Sequence, residues 1–529
     1  MRRERRCFAP CDRLSSHGAR ETNDGFGGRL PVATLAVALA FAAYAGLAHP
    51  AAFAQAPRVP DQQTATAPDA AVALEAAFVD SIARAERSVV AITRYRLPDS
   101  GNSPGDSDTL PFAPGSSRFD GPAPHEFATG VVIDAQGYIL TNYHVLGNPA
   151  KNAYKVWIDR KPYEAVDVRL RGEIKAGDPW TDLAVLKVDA EGLEPITFGD
   201  TDSLRKGQIV IALGNPYGIA RDGQVSASWG IISNLSRPFP ASSNALREGP
   251  GQESLYQYGG LIQTDAKLNM GTSGGALVNL KGEMIGLITA LAATEGYERS
   301  MGFAIPVDDM FRRTVDTLKS GRKAEFGFLG VSSSDLSDSM LRAGQFGAQV
   351  THVAPGTPAA AARLKQDDII TEIDGRAIHD RDSLMHVLGR QPVGGEIQLT
   401  VERGSRPGRR GRVIRTSAVL SKRHIDTSRP AYAQVEDPRW RGMQVDYATA
   451  LPQDLLQQAI QTDMPSGSLA AISVERDSPA WRSGLRAGAV FTHAGRQRVT
   501  TPAEFLAAVT GQEGPVRIKL VSGEVVVAP

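Results

Sequence analysis

The chain runs to 529 residues, long enough for several domains, and balances 58 Lys plus Arg against 58 Asp plus Glu. That balance excludes an overall electrostatic field aimed at nucleic acid or at an acidic partner. Hydrophobic residues at 42% beside 22% charged describe a globular protein. Both cysteines, Cys7 and Cys11, fall in the first dozen residues, so structural disulfides and cysteine-ligated metal are excluded from everything after them. No cofactor or metal is expected.

Seven arginines precede the uncharged run "LPVATLAVALAFAAYAGLA", Leu30 to Ala48, and Ala52-Phe53-Ala54 suits the small-x-small site before a signal cleavage. Residues 1–54 are therefore read as a signal peptide. The run is also near the length that spans a bilayer, so an uncleaved membrane anchor through residues 30–48 is the other reading. Residues 55–70, rich in Ala, Pro and Gln, form a linker. "DAAVALEAAFVDSIARAERS" follows with helical character and Asp69 as its cap.

From Ser88 the texture changes. "SVVAITRYR", "FATGVVIDA", "GYILTNYHV", "YKVWID", "TDLAVLKVD", "QIVIALG" and "GEMIGLITAL" are short β-type runs separated by Gly, Asp, Asn and Pro, the pattern of a sandwich or barrel. A Pro/Gly/Ser-rich loop, 97–126, lies between the first two, and the helix "VDDMFRRTVDTLKSG" closes the region near Gly321. Beyond it, 354–378 and 475–499 share the frame S/T-P-A, short helix, strand and Gly turn, each followed by a second helix. That is an internal repeat.

Within the β-rich region "GTSGG" fits the nucleophile-elbow pattern, with Gly271, Ser273 and Gly275 in place. A serine nucleophile needs a base and a group that orients the base. Two histidines are available. His125 sits in the Pro-rich loop, whereas His144 directly follows "GYILTNYHV", where a sheet would fix it. Asp182, in "WTDLAVLKV", stands at a strand edge; Asp178 is placed earlier, in a loop, and is less constrained. An α/β-hydrolase requires a helix after the nucleophile and the order Ser, acid, His. Here two apolar strands around Lys281-Gly282 follow Ser273, and the order is His, Asp, Ser.

That order, with "GYILTNYHV", "TDLAVLKV", "FGDTDSLRKGQIVIALGNPYGI", "LIQTDAKLNMGTSGGALVNLKGEMIGLITA" and "MGFAIP", resembles the HtrA (high-temperature-requirement) family of serine proteases over residues 75 to 529. The repeated segments resemble PDZ domains. The resemblance implies a mostly β chain: a chymotrypsin-like double β-barrel protease domain at 71–321, then two α/β PDZ domains at 324–421 and 440–529, joined by a linker at 422–439.

It further implies that Ser273 attacks the scissile carbonyl, His144 is the general base and Asp182 fixes the imidazole tautomer. The oxyanion hole would comprise the amides of Gly271 and Ser273, with Thr272 shaping the turn. Leu268, five residues before the nucleophile, is expected to line the primary substrate pocket, with "GLITALAA" as the opposite wall. In the first PDZ-like copy "FGFLGV" matches the carboxylate loop, so Phe328, Leu329, Gly330 and Val331 are expected to bind peptide. The second copy, "RWRGMQV" with Ala489 at a usual turn Asp, is a poorer match and is expected to regulate or pack.

The family pattern has Asn where this chain has Thr272, and often Pro where it has Met270; both bear on how readily the oxyanion turn adopts its active shape. The resulting expectation is an exported, ATP-independent endopeptidase of the periplasm or cell envelope that degrades unfolded proteins. It would bind apolar C-terminal peptides, assemble as a trimer-based homo-oligomer and make no use of nucleic acid. The alternative is a chaperone or adaptor with latent proteolysis.

Overall fold

The computed structural model describes residues 67–96, 126–158, 161–164, 174–215, 225–238, 254–269, 271–291, 301–425 and 431–529. The apolar run 30–48, both cysteines, His125 and Met270 lie outside them. The helix α1, Ala67–Ala85, begins two residues before Asp69, which sits in the first turn rather than at the cap, still against the positive end of the helix dipole. Its Phe78 meets Trp229 edge-on, with ring centroids 5.6 Å apart.

A first sheet collects β1 (Val89–Arg96), β2 (Glu126–Val132) and β3 (Tyr138–Asn142). The one-turn helix α2 (Tyr143–Leu146) follows. Next come β4 (Asn152–Ile158), β5 (Lys161–Glu164), β6 (Ile174–Asp178) and β7 (Leu183–Lys187). The strands run β6-β7-β3-β2-β1-β4-β5 across the sheet. A second set closes into a barrel: β8 (Ile209–Gly214), β9 (Ser226–Arg237), β10 (Leu261–Thr264), β11 (Ala276–Val278), β12 (Met284–Leu291) and β13 (Gly302–Pro306).

The helix α3, Asp309–Lys319, is capped by Asp308, whose carboxylate accepts from the Phe311 N–H at 3.0 Å. Its Phe311, Val315 and Leu318 join residues of both sheets, among them Leu140, Leu213 and Leu261, in one apolar core. The triad candidates lie where the two sheets meet.

The first repeat copy holds β14 (Gly327–Phe328), β15 (Val331–Ser334), α4 (Asp338–Arg342), β16 (Ala348–Val353) and α5 (Pro358–Ala361). It continues through β17 (Ile369–Ile373), β18 (Arg376–Ala377), α6 (Arg381–Leu388), β19 (Glu396–Arg403), β20 (Arg412–Val419) and β21 (Ser421–Lys422). Its sheet order is β15-β16-β17-β19-β20, so β15 and β20 are the edges.

Two short strands follow, β22 (Tyr432–Ala433) and β23 (Arg439–Trp440). The second copy then has β24 (Met443–Tyr447), α7 (Gln453–Gln461), β25 (Leu469–Val474), α8 (Pro479–Arg482) and β26 (Val490–Ala494). β27 (Gln497–Arg498), α9 (Pro502–Val509), β28 (Val516–Leu520) and β29 (Gly523–Val527) complete it. The order β24-β25-β26-β28-β29 repeats that of the first copy.

The segment read as a linker, 422–439, is partly structured. β21 pairs with β14, and β22 adds to the protease sheet with Tyr432 opposite Gly177 and Ala433 opposite Ala176. The first PDZ-like copy is itself seated on the protease domain. Trp180, fully buried, donates through Nε1 to the Gly389 carbonyl at 2.9 Å, and Arg390 meets Asp308 at 2.6 Å. His386 of α6 packs against Gly260. Burial, then the charges of Arg390 and Arg376, push its imidazole down to about 3, so it is neutral in this joint.

Candidate active site

His144 lies on α2, which starts as β3 ends. Gly147, at φ 58, terminates that turn, and a side chain there would collide with the Arg94 guanidinium. Asp182 precedes β7 with φ 54, a left-handed conformation that aspartate tolerates better than most residues. Its carbonyl accepts from the Tyr143 N–H at 3.0 Å and the Asn142 side-chain amide at 3.3 Å, which fixes the turn.

The Asp182 side chain is 3% exposed and accepts three hydrogen bonds. The His144 backbone N–H donates to Oδ1 at 3.0 Å, the His144 Nδ1–H reaches Oδ2 at 2.9 Å, and Thr289 Oγ1 donates to Oδ2 at 2.6 Å. Charge-assisted bonds of this kind fix the carboxylate against the imidazole. With the proton held on Nδ1, the Nε2 lone pair is the basic face of the ring.

Ser273 arrives from the closed barrel, ahead of β11. Its Oγ donates to the Thr289 carbonyl at 2.9 Å, so Thr289 touches the acid with its hydroxyl and the serine with its backbone. Among the described residues, that is the hydroxyl's hydrogen-bond partner, rather than the imidazole. The glycines after it are sterically required. Gly274 has φ 83, and a Cβ there would lie 2.0 Å from the Thr129 carbonyl oxygen; one at Gly275 would lie 2.3 Å from that of Leu213. Thr129 of β2 stitches the loop to the first sheet. Its N–H donates to the Ser273 carbonyl at 2.9 Å, and its Oγ1 to the Gly271 carbonyl at 2.7 Å.

Among the described residues, no carbonyl accepts from the N–H of Gly271 or of Ser273, whereas the Thr272 N–H is taken by Asn269 at 3.1 Å. Thr272 Oγ1 donates to that same carbonyl at 2.6 Å. Leu268 is 5% exposed and packs on Gly302 within the barrel's core. Asp178 is not in a loose loop: it ends β6, fully buried, and accepts from the Thr181 N–H at 2.9 Å and hydroxyl at 2.6 Å. Burial is the main reason its carboxyl is pushed up to about 6. Sequence reasoning missed Thr289 and Thr129; a lone threonine inside an apolar strand was the available signal.

In the first PDZ-like copy Leu329 is buried, Gly330 has φ 91 with Thr357 2.3 Å from where its Cβ would be, and Val331 opens the edge strand β15. The carbonyls of Leu329 and Gly330 accept from Ala359 at 2.8 Å and Ala354 at 3.0 Å. Phe328 lies in β14, paired with Ser421. The second copy differs. Arg441 (φ 48) and Gly442 (φ 79) turn a tight hairpin, so that Trp440 of β23 pairs with Met443 of β24. Its own chain covers the start of the edge that β15 leaves open. Asp368 anchors Arg403 at 2.7 Å in the first copy, and Ala489 takes that place in the second.

Comparison with known proteins agrees with this architecture. A trypsin-like peptidase domain model matches residues 128–287, and a PDZ domain model matches residues 327–408. A probable periplasmic serine endoprotease, DegP-like, from Chlamydia trachomatis is 31% identical over 403 residues, 75% of this chain and 73% of that protein. The periplasmic serine endoprotease DegP of Salmonella typhimurium is 31% identical over 385 residues, 71% of this chain and 70% of that one. The periplasmic pH-dependent serine endoprotease DegQ of Escherichia coli is 31% identical over 424 residues, 79% of this chain and 81% of that one. The chain belongs to the HtrA family of serine proteases: it is a serine endopeptidase with a trypsin-like domain followed by PDZ architecture.

Proposed function

We propose that Ser273 is the nucleophile, His144 its general base and Asp182 the residue that orients the imidazole. The observation that carries this reading is the convergence of acid, base and serine on Thr289 and Asp182. For attack the Ser273 hydroxyl turns from the Thr289 carbonyl to His144 Nε2, gives up its proton and adds to the scissile carbonyl. The amides of Gly271 and Ser273, with no carbonyl to serve among the described residues, take the developing oxyanion, each worth roughly 3 kcal/mol in the transition state. Thr272, bonded to Asn269 through both N–H and hydroxyl, shapes the turn rather than donating into it. His144 then protonates the leaving amine, and water repeats the sequence on the acyl-enzyme.

The physiological role that fits is degradation of unfolded polypeptides in the periplasm or cell envelope, by a trimer-based homo-oligomer. The edge strand β15 beside Gly330 suits addition of an extended C-terminal peptide, whereas the hairpin at Arg441-Gly442 suits packing in the second copy. A second reading, a chaperone with latent proteolysis, draws on the Ser273 hydroxyl resting on Thr289. Casein digestion with and without a serine-directed inhibitor separates them: inhibitor-sensitive digestion supports the protease, and intact casein held in solution supports the chaperone.

A further inference from the structure

Thr129 lies in the middle of β2, fully buried, and its hydroxyl joins two distant parts of the chain. Oγ1 accepts from the Asn215 N–H at 2.8 Å and donates to the Gly271 carbonyl at 2.7 Å. These roles cannot be exchanged. An amide N–H only donates and a carbonyl only accepts, so the single hydroxyl proton belongs to Gly271. The Thr129 backbone is committed as well: its N–H serves the Ser273 carbonyl at 2.9 Å, and its carbonyl accepts from Thr141 Oγ1 at 2.8 Å.

The Gly271 carbonyl shares a peptide plane with the Thr272 N–H, which donates to the Asn269 carbonyl at 3.1 Å. In a trans peptide these two groups point in opposite directions, so the plane is gripped at both ends. It stands between the planes that carry the N–H groups of Gly271 and Ser273. The plane after it is held too, by the Gly275 N–H on the Thr272 carbonyl at 2.9 Å. The angle between the two N–H groups therefore depends on how firmly the middle plane is held. Gly271, at φ 92, has no Cβ to resist its rotation. The hydroxyl's other partner, the buried Asn215, directly follows β8. Gly214, which ends that strand, leans on the same turn: a Cβ there would lie 3.1 Å from Thr272 Cα.

A threonine buried in a strand ordinarily serves through its β-branched shape, which valine supplies equally well. At this position the hydroxyl carries the connection, and valine would leave a buried N–H and a buried carbonyl without it. We propose that Thr129 is a positioning residue for the oxyanion hole: its hydroxyl holds the peptide plane between the two donors and ties that plane to the end of β8. The proposal rests on the reading of Gly271 and Ser273 as the oxyanion donors.

The test compares Thr129→Val, which keeps the shape and deletes the hydroxyl, with Thr129→Ser, which keeps the hydroxyl. Outright removal of one oxyanion donor lowers kcat roughly 100- to 1,000-fold. Donors that stay in place but lose alignment should cost less, about 10- to 100-fold in kcat on a short peptide, with KM within about twofold of wild type. Thr129→Ser should recover most of the rate. A peptide boronate, which adds to the nucleophile and fills the oxyanion hole, should lose affinity for Thr129→Val by the same factor as kcat/KM, while a product peptide binds as before. The pH–rate profile should keep its midpoint, because His144 and Asp182 are untouched. Thr129→Ala, measured in the same way, replaces the valine variant if that one fails to fold. Unchanged kcat without the hydroxyl, no recovery in Thr129→Ser, equal losses of boronate and product peptide, or a displaced pH midpoint overturns the proposal. Labelling of the wild type by a fluorophosphonate reads the nucleophile separately. A protein that labels at Ser273 yet ignores loss of the Thr129 hydroxyl overturns only the positioning role, whereas a wild type without label at Ser273 overturns the triad beneath it.

Discussion

Replacing Asp178 by asparagine should remove a pH-dependent loss of stability that the wild-type chain carries. The carboxyl is fully buried and accepts two hydrogen bonds through Oδ2, while Oδ1 has no partner among the described residues. Desolvation therefore outweighs the Thr181 bonds, and the carboxyl is pushed from 3.8 up to about 6, with Asp182 adding a smaller push the same way. Below pH 3.8 both folded and unfolded chains hold the proton, and the site costs nothing. As pH rises toward 6 only the unfolded carboxyl ionises, so the folded state loses ground; above 6 both are ionised and the deficit stays. The gap between 3.8 and about 6 is worth ~3 kcal/mol at full ionisation. The asparagine side chain would keep a carbonyl for Thr181 and place an amide where Oδ1 stands, at a desolvation cost of about 1–3 kcal/mol that does not vary with pH. Denaturant unfolding of both proteins from pH 3.5 to 8, in a Ser273→Ala background to prevent self-digestion, yields a difference curve. Asp178→Asn should gain on wild type by up to ~3 kcal/mol between pH 4 and 7 and then run parallel. A flat difference across that window would refute the assignment of a costly buried charge to this site.

Thr289→Val deletes the hydroxyl that donates to Asp182, a charge-assisted bond; kcat should fall about 10- to 100-fold with KM little changed, and Thr289→Ser should recover most of it. Steady-state kinetics on a short peptide checks this, and an unaltered kcat would remove Thr289 from the site. Gly330→Val crowds Thr357 and forces a branched residue to φ 91, so calorimetric titration should show C-terminal peptide affinity down at least about tenfold, with hydrolysis of a short substrate preserved. No acid stands at Leu268 or along "GLITALAA" to meet a basic side chain, so cleavage is expected after Val, Ala or Leu. Product sequencing that finds mainly Lys or Arg at the cleaved position would contradict it.

Strand positions and the order of His144, Asp182 and Ser273 were legible because alternating apolar residues, punctuated by Gly and Asp, are local signals. Other features depend on the fold. Thr289 resembles any strand-forming threonine until its neighbours are known; its hydroxyl meets Asp182 from 107 residues away in sequence. Two-residue β22 has no periodicity of its own, and only the edge of β6 makes it a strand. Asp178 sits among turn-forming residues, which suggests a loop, whereas tertiary burial places it at a strand end. The packing of Leu268 against Gly302 likewise comes from the fold, since a residue count from Ser273 cannot reveal which neighbour a side chain meets.

The central claim, that Ser273 is the nucleophile of this protease, is tested most directly by the casein-cleavage rate of purified Ser273→Ala beside wild type. The substitution deletes one oxygen and leaves the backbone bonds of Ser273, Gly274 and Gly275 in place, so the fold should survive. The account predicts a rate lower by roughly four to six orders of magnitude. Near-normal proteolysis by contaminant-free Ser273→Ala protein would contradict it.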